Sequence, residues 1–250
     1  MPMTRLYVSV LLIAVLLGNN ACTHYYYAPN TLQTPFLQEQ HDARASLGMI
    51  SGDEFNGYEV HAAYSPLKHA AVMVNHFQVS SGSGSNVSSS EDSGAGHLTE
   101  VALGGYYPVG KYTTFSLFAG WGAGSVSNNF DFDVKADLSF QRRFLQPTVA
   151  IRGKWARFGA ALRFNQLRYV KGEVDVEVGE PDLTIIRNIE RASPLFVPEA
   201  GLSCGFGYQA FWADFNLNFC NIRDRDDYHF AYSTVGLSFS CQLDYFWRER

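Results

Sequence analysis

The sequence predicts an all-β protein: a transmembrane up-and-down antiparallel β-barrel of about ten strands, with eight as the other count it allows. Three observations carry that prediction. First, segments of alternating apolar and polar residues recur along the chain. The last of them sets Val235, Leu237, Phe239, Cys241, Leu243, Tyr245 and Trp247 on one face, because successive side chains of a strand point to opposite sides. Second, charged residues are only 17% and aromatics reach 15%. Yet no stretch beyond the N-terminus approaches the roughly 20 apolar residues of a spanning helix. Only helices and closed barrels satisfy every backbone polar group in lipid, so such a chain must close into a barrel. Third, tight turns alternate with long polar connections, the asymmetry of barrels with periplasmic turns and outer loops.

The elements follow in order. Leu6 to Leu17 is an apolar run preceded by Arg5 and followed by Gly18-Asn19-Asn20-Ala21-Cys22. That is the layout of a secretory signal peptide over residues 1–21, so the mature chain leaves the cytoplasm. Residues 22–41 form a leader without alternation, carrying Pro29 and Pro35. It reads as a flexible tether, or as a plug in which Pro35-Phe36-Leu37 enters the periplasmic mouth. Residues 42–247 form the barrel.

Its first two strands show Ala45, Leu47 and Met49, then Tyr58, Val60, Ala62 and Tyr64. The third, residues 70–79, is apolar on both faces, which leaves its parity open. The fourth and fifth show Val101, Leu103 and Tyr107, then Phe115, Leu117, Ala119, Trp121 and Ala123. The sixth shows Val149 and Ile151, with Pro147 weakening its earlier part because proline cannot donate to a ladder. The seventh shows Ala156, Phe158, Ala160, Leu162 and Phe164. The eighth shows Phe196, Ala200, Leu202, Cys204 and Phe206, and the ninth Phe211, Ala213, Phe215, Leu217 and Phe219. Cys204 and Cys241 fall on the lipid side and read as small hydrophobes.

Tight turns are expected near residues 65–68, 108–111, 153–154 and 207–208. Long connections are expected at 80–96, 124–139, 170–193 and 221–227. Tyr and Trp favour the membrane–water interfaces. Near the turns lie Tyr64, Tyr106, Tyr107, Tyr112, Trp155, Tyr208, Trp212, Tyr245 and Trp247. Near the loops lie Phe55, Tyr58, Phe140, Tyr169, Phe196, Tyr228 and Phe230. The aromatic girdle is read chiefly as Tyr64, Tyr107, Trp155, Tyr208, Tyr245 and Trp247. A soluble exported barrel would alternate equally well; the export signal, long strands, two aromatic belts and one-sided loops favour the membrane.

The opposite faces carry five arginines, Arg44, Arg142, Arg152, Arg157 and Arg163, and five acids, Glu59, Glu100, Glu199, Asp214 and Asp244. A selective channel lines its constriction with one sign of charge. Balanced charges in a narrow interior must instead pair, because an unpaired buried charge is very costly. The expectation is a lumen cross-braced by Arg–carboxylate pairs and largely closed to solutes. His61 also faces inward, as a hydrogen-bonded filler.

The signal peptide, the Tyr25-Tyr26-Tyr27-Ala28-Pro29 leader and the Gly- and aromatic-rich strands ending in Phe246-Trp247 resemble small outer-membrane barrels of Gram-negative bacteria, the OmpA/OmpX-like type. Ala21-Cys22 resembles the lipobox of bacterial lipoproteins, although Asn19 stands where that motif has Leu. This second resemblance implies a lipid on Cys22, with ordinary cleavage beside it as the alternative. An even strand count returns both barrel ends to the periplasm, which suits an anchor in the inner leaflet. The group contains adhesins, loop-displaying proteins, narrow pores and a few enzymes.

Residues 80–96 are nearly all Ser, Gly, Asn and acid, a composition that stays solvated. In 170–193, Val174, Val176 and Val178 followed by a run from Leu183 to Ile189 suggest a hairpin above the membrane. Asp224, Asp226 and Asp227 with His229 read as a solvated acidic loop, then as a cation contact, and last as a site for activating water. No Gly-rich phosphate loop or Cys/His metal cluster is evident, so no cofactor and no metal is expected. A net charge of −5 without a basic run excludes nucleic acid. The expected partners are outer-membrane lipids, lipopolysaccharide and an extracellular ligand met through the loops. The expected role is a non-catalytic scaffold in the outer membrane; a narrow pore and an outer-rim hydrolase are the alternatives.

Overall fold

A computed structural model describes residues 25–52, 55–81, 93–130, 134–174, 178, 180–221, 228 and 230–248. Cys22 and the signal segment lie outside the described residues, as do Asp224, Asp226, Asp227 and His229.

Ten strands close on themselves: β1 (Ala43–Gly52), β2 (Asn56–Leu67), β3 (Ala70–Ser81), β4 (Ser93–Val109), β5 (Thr113–Phe130), β6 (Val134–Arg152), β7 (Ala156–Val174), β8 (Leu195–Tyr208), β9 (Phe211–Cys220) and β10 (Ser233–Gln242). Each pairs with its sequence neighbours, all antiparallel, and β1 pairs with β10 to seal the cylinder, Leu47 lying opposite Phe239. No open edge remains, as a sheet in lipid requires.

The side-chain parity is as the sequence predicts. Leu47, Leu103, Phe158, Leu202, Phe211 and Phe239 all project outward, with Leu103 69% and Phe239 68% exposed. Arg142, Arg157 and Arg163 are wholly buried. This inverts the polarity of a soluble barrel: grease outside, charge within. Free cysteines Cys204 and Cys241 sit half-exposed on the outer side, and Cys220 is buried. A charge placed on the apolar outside near mid-bilayer costs ~2–4 kcal/mol. Leu237→Arg, midway along β10, should lower the unfolding free energy in lipid vesicles by about that amount, read from the shift in urea midpoint.

Three expectations give way. The segment from Leu183 to Ile189 is not a strand but part of helix α1 (Glu180–Ala192). Ile185, Ile186 and Ile189 share one face and pack into the loop end of the lumen, and that helical spacing outweighs their β-branching. Residues 124–139 are not a free loop either, because β5 and β6 continue as a paired hairpin through Phe130 and Val134. With 17 to 19 residues each, β4 to β7 span about 60 Å at ~3.4 Å per residue. That is far beyond the 9–11 residues of a crossing strand, so these four strands project past the membrane on the loop side. Lastly, the final strand stops at Gln242, and residues 245–248 form a short helix, α2 (Tyr245–Arg248).

β3 resolves its own ambiguity. Ala71, Met73, Phe77 and Val79 point inward and are buried, while Val74 is exposed. Both faces are apolar because the interior of this barrel is itself partly greasy. Pro147 sits inside β6, and the β6–β7 ladder skips from Leu145–Phe164 to Thr148–Ala161 around it, as the missing N–H requires.

Candidate functional site: the occupied lumen

Residues 25–41 are not a tether outside the barrel. Residues 25–37 run through its centre, where Tyr26, Tyr27, Asn30, Thr31, Leu32, Gln33, Thr34, Phe36 and Leu37 are all buried, and Glu39, Gln40 and His41 are exposed at the turn end. The plug predicted for Pro35-Phe36-Leu37 is therefore only the lower part of a segment that fills the whole lumen.

At the loop end, Tyr25 meets Phe55 edge-on, with centroids 6.0 Å apart. The Tyr26 carbonyl accepts from the Tyr169 hydroxyl at 2.6 Å, and Tyr27 bridges to Phe230. Helix α1 and Phe140, Leu138 and Val197 complete an apolar cap around these tyrosines. Phe55, Phe140 and Phe230 thus belong to this interior cluster and not to an outer girdle, whereas Tyr58 and Phe196 are exposed. At the turn end, Tyr106 and Trp212 likewise turn inward, and Tyr64, Tyr107, Trp155, Tyr208 and Trp247 stay exposed. Tyr245 is half-buried. Trp155 stacks on Tyr208 at 4.3 Å with Lys154 over the pair.

In the middle layer Arg142 Nε donates to Glu100 at 2.8 Å, and its Nη2 reaches Glu100 at 2.6 Å. Arg163 lies 3.5 Å from Glu100 and 3.8 Å from Glu199. The leader is built into this cluster. Both guanidinium groups donate to Asn30 Oδ1, at 2.6 and 3.0 Å. The Tyr27 hydroxyl accepts from Arg142 and donates to Glu199. Arg163 also donates to Gln146, which in turn donates to the Gln33 carbonyl at 2.8 Å. Glu59 pairs with His61 at 3.2 Å and accepts from the Thr31 backbone N–H and hydroxyl.

In the lower layer one carboxylate serves two cations. Asp214 accepts from Arg44 at 2.9 Å, from Arg157 Nε at 2.7 Å and from Ser240 at 2.8 Å, with a further short contact to Arg157 Nη2. Arg157 is held between two rings, Phe36 at 4.7 Å and Trp212 at 4.6 Å. Phe36 takes a left-handed backbone angle, φ 53°, uncommon for a residue with a side chain. Cation–π attraction to a desolvated arginine, worth up to ~2 kcal/mol, offsets that strain. Arg44 also donates to the Thr34 carbonyl.

The leader lies close against the wall where glycine permits it. A β-carbon on Gly201 would meet Leu32 Cβ at 2.8 Å, and one on Gly159 would collide with Thr34 Oγ1.

Eight of the ten predicted lumen charges therefore meet in this network: Arg44, Glu59, Glu100, Arg142, Arg157, Arg163, Glu199 and Asp214. The other two stand apart. Arg152 is half-buried at a tight turn, with no ion pair seen among the described residues. Asp244 accepts from the Ala43 backbone N–H at 3.2 Å and fastens the barrel seam. Sequence reasoning missed Tyr27, Asn30, Thr31 and Gln146, and placed Phe36 in the mouth without its arginine partners. Their signal was faint: a leader of small polar residues with aromatics at both ends, where a free tether needs none.

No protein-family model and no curated protein matches the sequence. Among solved structures, the chain is similar to the translocator domain of autotransporter NalP from Neisseria meningitidis. That alignment covers 83% of this chain and 90% of the other, at 7% identity and a TM-score of 0.48. The outer membrane protease OmpT from Escherichia coli aligns over 85% and 97%, at 9% identity and a TM-score of 0.44. Ail, the attachment invasion locus protein of Yersinia pestis, aligns over 81% and 98%, at 12% identity and a TM-score of 0.37. At such scores none of them lends this chain a role. The membrane address rests on the chain's own geometry. A closed antiparallel barrel, apolar outside and charged inside, has the architecture of an outer-membrane protein.

Proposed function

We propose that the protein is a non-catalytic outer-membrane scaffold, sealed by its own leader, that presents its long connections and the α1-capped end at the cell surface. One observation carries this reading: residues 25–37 occupy the lumen along its length and bond to the same arginines and acids that would otherwise line a pore. A hole filled by covalently attached chain does not conduct. Four projecting strands, β4 to β7, raise one continuous sheet with the β5–β6 hairpin at its middle above the membrane on a rigid base, which favours recognition by a surface partner. Lipid tails and lipopolysaccharide would contact the apolar belt, and an extracellular ligand would meet the projecting end.

The test is a planar-bilayer recording of the refolded full chain. The expected result is a silent membrane at voltages where porins conduct. Steady single-channel currents would sink the scaffold reading in favour of a narrow pore.

A further inference from the structure

The leader runs in one direction, and that direction bears on the topology of the whole chain. Tyr25 lies at the loop end, beside Phe55, and its carbonyl accepts from Asn128 at 3.2 Å. Asn30 and Thr31 lie at mid-lumen against Arg142 and Glu59. Gln38 lies at the turn end, 3.5 Å from the Lys111 carbonyl. N to C, the segment descends from the loop side to the turn side.

It then reverses at once. The backbone N–H groups of Gln38 and Glu39 donate to Asp42 Oδ2 at 2.6 and 2.9 Å, His41 takes φ 68°, and β1 climbs back from Ala43. Leader and β1 thus form a hairpin whose bend is on the turn side and whose two far ends are both on the loop side.

We propose that this segment is an eleventh crossing of the outer membrane, and that the chain ahead of Tyr25 emerges on the cell surface instead of in the periplasm. The proposal rests on the reading that the long connections face outward. A hairpin needs no free end pulled through a finished barrel, since it enters bend-last and closes with the sheet. The periplasmic alternative has no path through the barrel, because the lumen between Tyr25 and the turn end is occupied by the leader itself. What the scaffold displays then includes its own N-terminal residues.

The experiment places one epitope immediately ahead of Tyr25 in the full chain and probes intact cells with antibody. Two companion chains carry the same epitope in the β3–β4 connection and after Arg250. Support consists of binding at the first two positions on intact cells, and at the third only after the outer membrane is permeabilised. An epitope ahead of Tyr25 that stays hidden while the β3–β4 epitope is reached overturns the eleventh crossing and leaves the scaffold orientation standing. The reverse pattern, with the epitope after Arg250 reached and that in the β3–β4 connection hidden, overturns the orientation itself.

A second variant guards against an epitope that merely dislodges the leader. A β-carbon on Gly236 would lie 2.9 Å from Thr31 Cγ2, and a cysteine sulfur in place of that Cγ2 would stand at the ~3 Å that separates a disulfide sulfur from the far β-carbon. Thr31→Cys with Gly236→Cys should yield a reducible gel-mobility shift in the folded barrel. Its absence, in barrels that remain heat-modifiable, shows a leader outside the lumen and overturns the proposal.

Discussion

Replacing Asp214 by Asn should destabilise the barrel strongly, by ~3–5 kcal/mol. Asp214 is 1% exposed and is the carboxylate that both Arg44 and Arg157 contact. Neutralising it leaves two guanidinium groups desolvated without a counter-charge, where arginine cannot escape by losing its proton. The cost falls on the native state, because in the unfolded chain both cations return to water. Urea unfolding in detergent micelles, followed by tryptophan fluorescence, should show a midpoint well below that of the parent at an unchanged slope. Arg152→Ala is the matched comparison. That arginine is half-buried at a turn, outside the ion-pair network, and its loss should stay within ~0.5 kcal/mol. Equal shifts for the two variants would mean that the lower cluster does not brace the lumen.

The second large effect concerns conduction. Deleting residues 25–37 should turn a silent barrel into a channel. The deletion removes Phe36 from between Arg44 and Arg157, Asn30 from between Arg142 and Arg163, and Tyr27 and Leu32 from the space they fill. The wall strands keep their ladders and their own Arg–carboxylate pairs, so the cylinder should still assemble and still shift mobility on heating. It should melt at a lower temperature, because Thr31 no longer donates to Glu59 and the apolar cap loses Tyr26 and Tyr27. Bilayer recordings of the deletion should show steady currents that the full chain lacks. A heat-modifiable but silent deletion variant would show that the side chains of the wall close the lumen by themselves.

Alternation made the barrel legible from residues alone. In a strand the period is two whatever lies on either side, so Val235, Leu237 and Phe239 on one face and Gly236, Ser238 and Ser240 on the other are set by local geometry. The same rule placed Arg142, Arg157, Arg163, Glu100 and Asp214 inward. Aromatic residues were less well placed, since Phe140 and Tyr106 near strand ends could as easily face a cap inside as an interface outside. Helix α1 was misread because Ile185, Ile186 and Ile189 have strand-like side chains, and their helical spacing matters only once there is an apolar mouth to cover.

By itself, then, the sequence determined which face meets lipid in every strand but the third, a count of eight to ten strands and the balance of charge within. Whether Asp214 would be shared by two arginines, and whether the leader would hang free or thread the centre, was decided only by closure. Alternation is a property of neighbours along the chain. Filling a lumen is a property of ten strands meeting around an axis, where desolvated cations with too few wall partners draw in Asn30, Tyr27 and Phe36 from residues more than a hundred positions away from Arg142 and Arg157.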